Sequence, residues 1–300
     1  MDLIKNNKNL KIIIEKINGS TLIDAGIKSE GSTTAGLIVS KICMGDLAEI
    51  DEKNNKIIVE SDNPVLACLG CQYAGWKINI DKFFALGSGP ARALSDVEES
   101  LFSKLNYKDN YDKAIICLET RKVPNSKILD YISGHCRVKK EDLYVILIPT
   151  SSLIGSVQIS ARVLETAIHQ LFHLNFQIDT IIKGYGTCPI PPVLPSDELA
   201  MGLTNDAIIM MGEVNLNISG IDDYKIEKII SKIPSVYSKD FGEPFSEIFK
   251  KAGYDFYKID PLLFSPAKIN VYNITTGSEF SFGKINPELY KETIIKYQEK

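Results

Sequence analysis

Apolar runs the length of a single β-strand recur along this 300-residue chain and limit the folds that it can adopt. The longest, LYVILIPT at residues 143–150, is far shorter than the roughly 20 apolar residues that a membrane-spanning helix needs. The sequence therefore predicts a protein that does not interact with a membrane. The first residues, MDLIKNNKNLK, contain no apolar segment of the kind found in signal peptides, so we expect a cytoplasmic protein.

The order of these runs predicts the fold class. Two hairpin-like segments come early, at residues 10–27 and 47–61, and the first turns at Asn18-Gly19, a strong signal for a tight turn. From residue 114 onward, strand-like and helix-like segments alternate. This order favours an α/β protein (α+β, with mixed sheets) built from two α/β domains with a substrate cleft between them. A polar stretch at 106–113 indicates domains 1–112 and 113–300, and interleaved domains fit the same pattern.

Residue periodicity also predicts individual elements. One long helix is expected over residues 153–174 and another over 91–105. Later in the chain we expect a helix at 196–203, a strand at 206–214 and a short strand at 255–258.

Charge and cysteine content argue against two classes of protein. The chain has 38 acidic and 34 basic residues, and its net charge of −4 argues against nucleic-acid binding. Of the six cysteines, only Cys68 and Cys71 form a CxxC pair, and no second pair follows. We therefore expect reduced, mostly buried thiols and no metal site.

Arginine is scarce in this sequence, with four arginines against 30 lysines. Where lysine is the usual cation, an arginine indicates a position that needs a planar, permanently charged side chain. Arg92 and Arg162 fall in the two segments that look most like loops or motifs, which makes them candidates for a functional site.

Three glycine-rich segments follow strand-like runs, at residues 31–36, 87–92 and 183–189. Glycine lets backbone N–H groups approach an anion closely. None of the three matches a Walker A loop or a GxGxxG fingerprint, so no nucleotide site is predicted. Each alone fits an ordinary turn, but together, with Arg92 in one of them, they favour a ligand cleft built from loops.

Arg162 and Glu165 stand three residues apart in the expected long helix, and His169 and His173 follow at four-residue steps. Such an Arg–Glu pair is commonly a solvated ion pair, but its apolar neighbours also fit a cleft in which Glu165 acts as a general base. Glu165, His169 and His173 could also be read as metal ligands. However, eight residues of helix span roughly 12 Å, too far for one ion to contact both ends.

Six segments together resemble a single family. They are AGLIVSKICMGDLAEI (35–50), ACLGCQYAGW (67–76), FFALGSGPARAL (83–94), PTSSLIGSVQISARVLETAI (149–168), KGYGTCPIPPV (183–193) and MGLTNDAIIMMGEV (201–214). In these segments the chain is similar to the archaeal and methylotroph methenyltetrahydromethanopterin cyclohydrolases. The resemblance extends from about Ile17 to at least Val214.

The resemblance implies a reaction in one-carbon metabolism and methanogenesis. Water attacks the methenyl carbon that bridges N5 and N10 of a cationic pterin, and the ring opens to the N5-formyl compound. The family's catalytic arginine and glutamate fall on Arg162 and Glu165. The family needs no metal and no other cofactor, and it forms homotrimers. The expected substrate-binding residues are Tyr73, Ser88, Gly89, Arg92, Tyr185 and Thr187, with Arg92 facing the anionic tail of the substrate.

The sequence departs from the family pattern in two places. No helix is expected ahead of the first strand, where family members carry one. Some members have a lysine that assists catalysis where this chain has Tyr73, which supplies no positive charge near pH 7. Two alternatives remain open. One is a metal-dependent hydrolase of another heterocycle that uses His169, His173 and a carboxylate, and the other is a pterin-binding protein without catalytic activity.

Overall fold

The computed structural model describes residues 2–299, which form two six-stranded mixed sheets with helices packed on them. The strands are β1 (Ile13–Ile17), β2 (Ser20–Asp24), β3 (Glu49–Lys53), β4 (Lys56–Ser61), β5 (Trp76–Ile80), β6 (Phe83–Ser88), β7 (Ala114–Glu119), β8 (Leu143–Ile148), β9 (Ile181–Pro189), β10 (Glu213–Ile218), β11 (Lys268–Asn273) and β12 (Glu279–Gly283). The expected α/β fold with mixed sheets is confirmed.

The α-helices connect and cover these strands. They are α1 (Asp2–Lys5), α2 (Asn7–Leu10), α3 (Thr33–Cys43), α4 (Ala91–Leu94), α5 (Glu99–Leu105), α6 (Ser126–Cys136), α7 (Leu153–Ser160), α8 (Val163–His173), α9 (Asp197–Met211), α10 (Asp223–Ile230), α11 (Phe245–Lys251) and α12 (Pro287–Gln298). A π-helical segment, Leu66–Gln72, lies between β4 and β5. None of the helices within residues 2–299 is both long enough and apolar enough to cross a bilayer.

The first sheet has the strand order β1-β2-β8-β7-β6-β5. The strands β2, β8 and β7 run parallel to one another, and the flanking pairs are antiparallel. Helix α6 buries Ile128, Leu129 and Ile132 against one face of this sheet. Helix α3 buries Ala35 and Val39 against the other, so both faces are covered.

The second sheet has the order β12-β11-β10-β9-β4-β3, and only the β10–β11 pair is parallel. Helices α8 and α9 cover one face with buried side chains such as Leu164 and Leu203. On the opposite face the strands present polar, partly exposed side chains, including Asn215 and Asn270. This sheet therefore has one apolar, buried face and one polar, solvent-facing side, as antiparallel sheets commonly do.

The two predicted hairpins are confirmed. Asn18 and Gly19 join β1 to β2 with φ of 52° and 89°, and Asn54 and Asn55 join β3 to β4 with φ of 54° and 59°. Two successive residues with positive φ make the tight turn whose twist matches that of the flanking strands, and asparagine and glycine are the residues that tolerate it.

The strands of the two sheets alternate along the chain. The first sheet takes β1, β2 and β5–β8, whereas the second takes β3, β4 and β9–β12. The polar stretch at 106–113 precedes β7, in the middle of the first sheet. The boundary between 112 and 113 therefore does not separate the sheets, and the division of the chain into two domains stays a prediction.

The long helix expected over residues 153–174 is instead two helices, α7 and α8, separated at Ala161 and Arg162. The Gln72 side-chain amide donates a hydrogen bond to the Ala161 carbonyl (3.2 Å). In a continuous helix that carbonyl would accept only from the backbone N–H four residues later. The Arg162 N–H bonds to the Ile159 carbonyl, three residues back instead of four. A side chain inserted in this way is a recognised cause of helix breaks.

Three further expectations are wrong. The helix expected over 91–105 is broken into α4 and α5, because the chain turns back after Ser95 and brings Glu98 onto Arg92. The expected strand 206–214 is mostly the end of α9, whose apolar residues are buried on several sides, so periodicity could not distinguish the two structures. The expected strand at 255–258 is a short 3-10 helix, Phe256–Lys258.

The expectation that no helix precedes the first strand is also wrong. Two short helices, α1 and α2, come before β1. They bury Leu3 and Leu10 in the same cluster as Ala35 and Val39 of α3. The chain therefore does carry a helical N-terminal element, which packs against α3.

Candidate active site

Arg162 and Glu165 lie where α8, which packs on the second sheet, meets the first sheet. Arg162 directly precedes α8 and Glu165 is in its first turn, where it is 7% exposed. The helix can approach β9 closely because glycines face it. A Cβ atom added at Gly186 would lie 2.9 Å from Val163 Cγ1 and 3.3 Å from the Leu164 backbone nitrogen. Because Glu165 is buried and α8 packs closely on β9, Arg162 and Glu165 occupy an interior position. The alternative of a solvated surface ion pair is wrong.

The Arg162 guanidinium is held by hydrogen bonds to groups from several elements. It donates from Nε to Gln158 Oε1 (3.2 Å) and from one terminal nitrogen to the Gln72 carbonyl (2.6 Å). The other terminal nitrogen reaches Ser88 Oγ (3.2 Å) and Cys43 Sγ (3.7 Å). Burial opposes the charge of Arg162, but the negative charges around it, first among them Cys43 and Glu165, raise its pKa.

The Glu165 carboxylate has a strongly perturbed pKa. Burial raises the pKa of Glu165 to about 7, although Arg162 and Arg92 act in the opposite direction. Within residues 2–299, neither arginine lies within ion-pairing distance of this carboxylate. Arg162 and Glu165 therefore interact through space, without a direct hydrogen bond between them. A carboxyl group that titrates near neutral pH can both accept and return a proton.

Tyr73 follows the π-helical segment and lies between two other side chains. Its ring stacks on the His169 ring, with centroids 4.6 Å apart, and the Arg92 guanidinium lies 5.2 Å from its centroid. Burial raises the pKa of Tyr73, and the nearby Glu165 and Glu98 add to this effect. Tyr73 is therefore a neutral hydroxyl group near Glu165 at neutral pH.

Arg92 is fully buried and is bound by protein groups on three sides. Its Nε and one terminal nitrogen donate to the two carboxylate oxygens of Glu98, at 2.7 and 2.6 Å. The other terminal nitrogen donates to the carbonyls of Leu69 and Cys71. Because a bidentate carboxylate already fills the guanidinium fork, this geometry favours bracing of the π-helical segment over binding of a substrate anion.

Ser88 and Gly89 lie at the end of β6. Ser88 Oγ contacts both Arg162 and Cys43 Sγ (3.0 Å), so Ser88 belongs to the Arg162 environment. Gly89 has φ of +100°, and an added Cβ would lie 3.2 Å from the Ile115 carbonyl, so a larger residue would be strained there. Its N–H donates to the Cys71 carbonyl (2.7 Å), which leaves this N–H committed to the protein.

Tyr185 and Thr187 do not lie beside Arg162 and Glu165. In β9 the alternate residues Gly184 and Gly186 face α8, so the side chains of Tyr185 and Thr187 point to the opposite face of the second sheet. The expected third glycine-rich turn is thus an internal strand that packs against a helix. A contact of these two residues with the same substrate stays a prediction, and their position in the chain does not favour it.

A cavity of about 320 Å³ opens one helical turn from Glu165. Its lining comes from the π-helical segment and Tyr73, from α5 and the residues before it, and from the later part of α8. Tyr73, His169 and Lys104 are among the side chains that line it. The cavity therefore combines ring surfaces with polar groups beside the buried acid, as ligand pockets commonly do.

The two histidines of α8 pair with each other. His169 Nε2 and His173 Nε2 are 3.0 Å apart. Burial, together with the charges of His173 and Arg92, lowers the pKa of His169 to about 4, so the ring is neutral at pH 7. Within the described residues, no group of three or more His, Cys, Asp or Glu side chains is arranged to hold a metal ion.

The sequence interpretation missed three residues that shape this site. Gln72 interrupts the helix before Arg162, Glu98 neutralises Arg92, and Cys43 contacts Arg162 from α3. Gln72 Oε1 is buried with no hydrogen-bond partner among residues 2–299, so one polar acceptor remains unused beside the site. Only Gln72 carried a sequence signal, because it directly precedes the singled-out Tyr73.

Comparison with known proteins identifies a family. A family model described as Cyclohydrolase (MCH) matches residues 1–294. The methenyltetrahydromethanopterin cyclohydrolase of Methylobacillus flagellatus is 43% identical over 300 residues, which cover 97% of this chain and 91% of the relative. The enzyme of the same name from Methanosarcina mazei is 40% identical, with 96% of this chain and 92% of the relative covered. The one from Methanocaldococcus jannaschii is 36% identical, with 97% of this chain and 94% of the relative covered.

Proposed function

This chain belongs to the Cyclohydrolase (MCH) family, and on that premise we propose that it hydrolyses N5,N10-methenyltetrahydromethanopterin reversibly to the N5-formyl compound. The relatives at 36–43% identity that carry the cyclohydrolase name support this activity. The resemblance of the individual motifs, GSGPARAL and GSVQISARVLETA above all, supports the same reaction.

The chemistry of the substrate suits the residues of the site. The methenyl carbon belongs to a cationic amidinium group, so it is already electrophilic before the enzyme acts. The reaction then needs a base that takes a proton from the attacking water and an acid that returns one to the departing N10. One carboxyl group can perform both steps in turn if its pKa lies near the working pH.

Glu165 is the group that meets this requirement, and the observation that carries the proposal is its burial beside Arg162. Burial raises the pKa of Glu165 to about 7, so both protonation states are populated near neutral pH. A cationic substrate that binds beside this carboxylate also favours its charged form. Glu165 thus acts as the general base and the proton shuttle.

Arg162 acts in this proposal as a fixed positive charge near Glu165 and not as its hydrogen-bond partner. Its donors are taken by Gln158, Gln72 and Ser88, which fix the guanidinium in place. The charge limits the rise of the Glu165 pKa that burial causes. Tyr73 offers a neutral hydroxyl where some family members have a lysine.

The substrate occupies the cavity beside Tyr73 and His169 in this proposal, with its reacting carbon toward Glu165. The pterin ring can stack on aromatic side chains of the lining, because flat π-systems pack in offset or tilted geometries at small cost. We place the working enzyme in the cytoplasm as a homotrimer without a bound metal, in accordance with the family resemblance.

Absorbance spectroscopy tests the proposal directly. Purified protein added to methenyltetrahydromethanopterin should abolish the methenyl absorbance catalytically, and the methenyltetrahydrofolate analogue should react more slowly. Unchanged absorbance with tight binding of the pterin would instead identify a binding protein without activity. Neither binding nor turnover of either compound would contradict the proposal altogether.

A further inference from the structure

The two arginines of the site differ in how their charges are balanced. Arg92 has a bidentate carboxylate partner, Glu98, at 2.6 and 2.7 Å. Arg162 is bound by an amide oxygen, a backbone carbonyl, a hydroxyl and a sulfur atom. Within residues 2–299, no carboxylate lies within ion-pairing distance of Arg162. The carboxylates of Glu165 and Glu119 act on Arg162 only from beyond contact distance. A largely enclosed cation with no anion in contact is costly, so an anion within contact distance is expected.

Cys43 is the ionisable group that contacts the Arg162 guanidinium. It is the last residue of α3, it is 1% exposed, and its Sγ lies 3.7 Å from an Arg162 terminal nitrogen. The same sulfur lies 3.0 Å from Ser88 Oγ, which also contacts Arg162. Cys43, Ser88 and Arg162 therefore form a closed triangle of contacts that joins α3, β6 and the start of α8.

We propose that Cys43 is a positioning residue whose thiolate serves as the counter-ion of Arg162. A neutral thiol is a weak acceptor, whereas a thiolate offers a full charge to the guanidinium. The proposal rests on the proposed function in so far as Arg162 belongs to the catalytic site, but the ionisation of Cys43 can be measured without substrate.

The groups around Cys43 support the ionised form. A hydrogen bond from the Cys117 thiol, the charges of Arg162 and Arg92 and the Ser88 hydroxyl together lower the pKa of Cys43 to about 6, against the opposing effect of burial. The same contact raises the pKa of Cys117, so Cys117 remains the protonated partner. Three further titratable groups act on this site. The Cys43 charge raises the pKa values of Cys71 and Glu165, and the charge of Glu119 raises the pKa of Arg162.

The thiolate also links Arg162 to the acid–base chemistry of Glu165. The negative charge of Cys43 raises the pKa of Glu165, and Arg162 lowers it. Replacement of the thiolate by a neutral group should therefore lower the pKa of Glu165. It should also leave the Arg162 guanidinium less firmly held. A purely structural cysteine would leave the pKa of Glu165 unchanged.

Titration of thiolate absorbance tests the ionisation, with Cys136 as a matched control. Cys136 is also buried, but burial raises its pKa to about 12. Wild-type protein and Cys136→Ser should show a thiolate that forms near pH 6, and Cys43→Ser should lack it. Arg162→Gln should shift this titration to higher pH, because the stabilising cation is gone. A titration near pH 6 that persists in Cys43→Ser, or the absence of one in wild-type protein, would overturn the proposal.

Steady-state kinetics test the positioning role. In Cys43→Ser, kcat should fall by roughly 10- to 100-fold, since a small misplacement of a group at the reacting centre can cost that much. The acid limb of the kcat/KM profile should also move to lower pH, and Cys136→Ser should change neither quantity. A Cys43→Ser enzyme with wild-type kcat and an unmoved acid limb would refute the positioning role. If wild-type protein has the thiolate but no turnover, the proposed function is contradicted. The role of Cys43 as counter-ion of Arg162 would still hold.

Discussion

Glu165 is the residue on which the proposed mechanism depends. Glu165→Gln keeps the size of the side chain but removes the base, so kcat should fall by roughly 10²–10⁴. In wild-type enzyme kcat/KM should rise with pH through about 7, because only the ionised carboxyl group takes a proton from water. The variant should lack this rise. Near-wild-type turnover in folded Glu165→Gln, measured by methenyl absorbance, would exclude Glu165 as the base.

Arg92 gives a second test at the scale of single residues. The sequence interpretation assigns it to the anionic tail of the substrate and predicts that Arg92→Ala raises KM. The buried pair with Glu98 and the bonds to Leu69 and Cys71 favour a different result. Breaking a buried pair costs about 3–5 kcal/mol, so we expect a clearly lower melting temperature.

The variant Glu98→Gln serves as the control for Arg92. It removes the carboxylate charge and should lower the melting temperature in the same way, because Arg92 then remains buried and poorly paired. Thermal unfolding and KM should be measured on both variants. A raised KM in a normally stable Arg92→Ala would instead restore the assignment to substrate binding.

At the scale of elements, the glycines of β9 fix how closely α8 approaches the second sheet. Gly186→Ala places a Cβ 2.9 Å from Val163 Cγ1 and 3.3 Å from the Leu164 backbone nitrogen, so the helix that carries Glu165 must shift. Such overpacking costs typically about 1–3 kcal/mol, and kcat should fall as well.

Gly134→Ala in α6 is the matched control, because an added Cβ there meets no atom within 4 Å. That change should leave turnover intact and stabilise the helix by about 0.5–1 kcal/mol. Stability should be measured by urea unfolding and activity by methenyl absorbance. If Gly186→Ala equals the wild-type protein in both, α8 can shift without loss of stability or activity.

Local elements were predictable where the signal is local. The Asn18-Gly19 and Asn54-Asn55 turns need only the residues that form them, and both hairpins were predicted. The break between α7 and α8 was not predictable, because it depends on Gln72, about 90 residues earlier in the chain. The spacing of Arg162 and Glu165 made this pair a candidate from the sequence alone, whereas Cys43 is brought to it only by the packing of α3 on α7 and β6.

At the scale of the whole molecule, we expect the chain and its substrate to suffice for catalysis. The substrate carries its own positive charge, so turnover should survive exhaustive dialysis against a chelator. Activity should be measured before and after dialysis, with added zinc and iron as controls. A loss that either metal restores would favour the metal-dependent hydrolase, with the His169–His173 pair, 3.0 Å apart, as its first suspected ligands.

The alternation of the two sheets along the chain has a consequence for synthesis on the ribosome. Strand β2 ends at Asp24, but its partner β8 begins at Leu143, and β4 ends at Ser61 while its partner β9 begins at Ile181. At roughly 5–20 residues per second, each nascent hairpin waits on the order of ten seconds for the strand that completes its sheet. During that interval both hairpins present open strand edges, which bind other strands readily. Translation speed and holding chaperones should therefore influence the yield of folded protein more than they do for a chain whose domains follow one another.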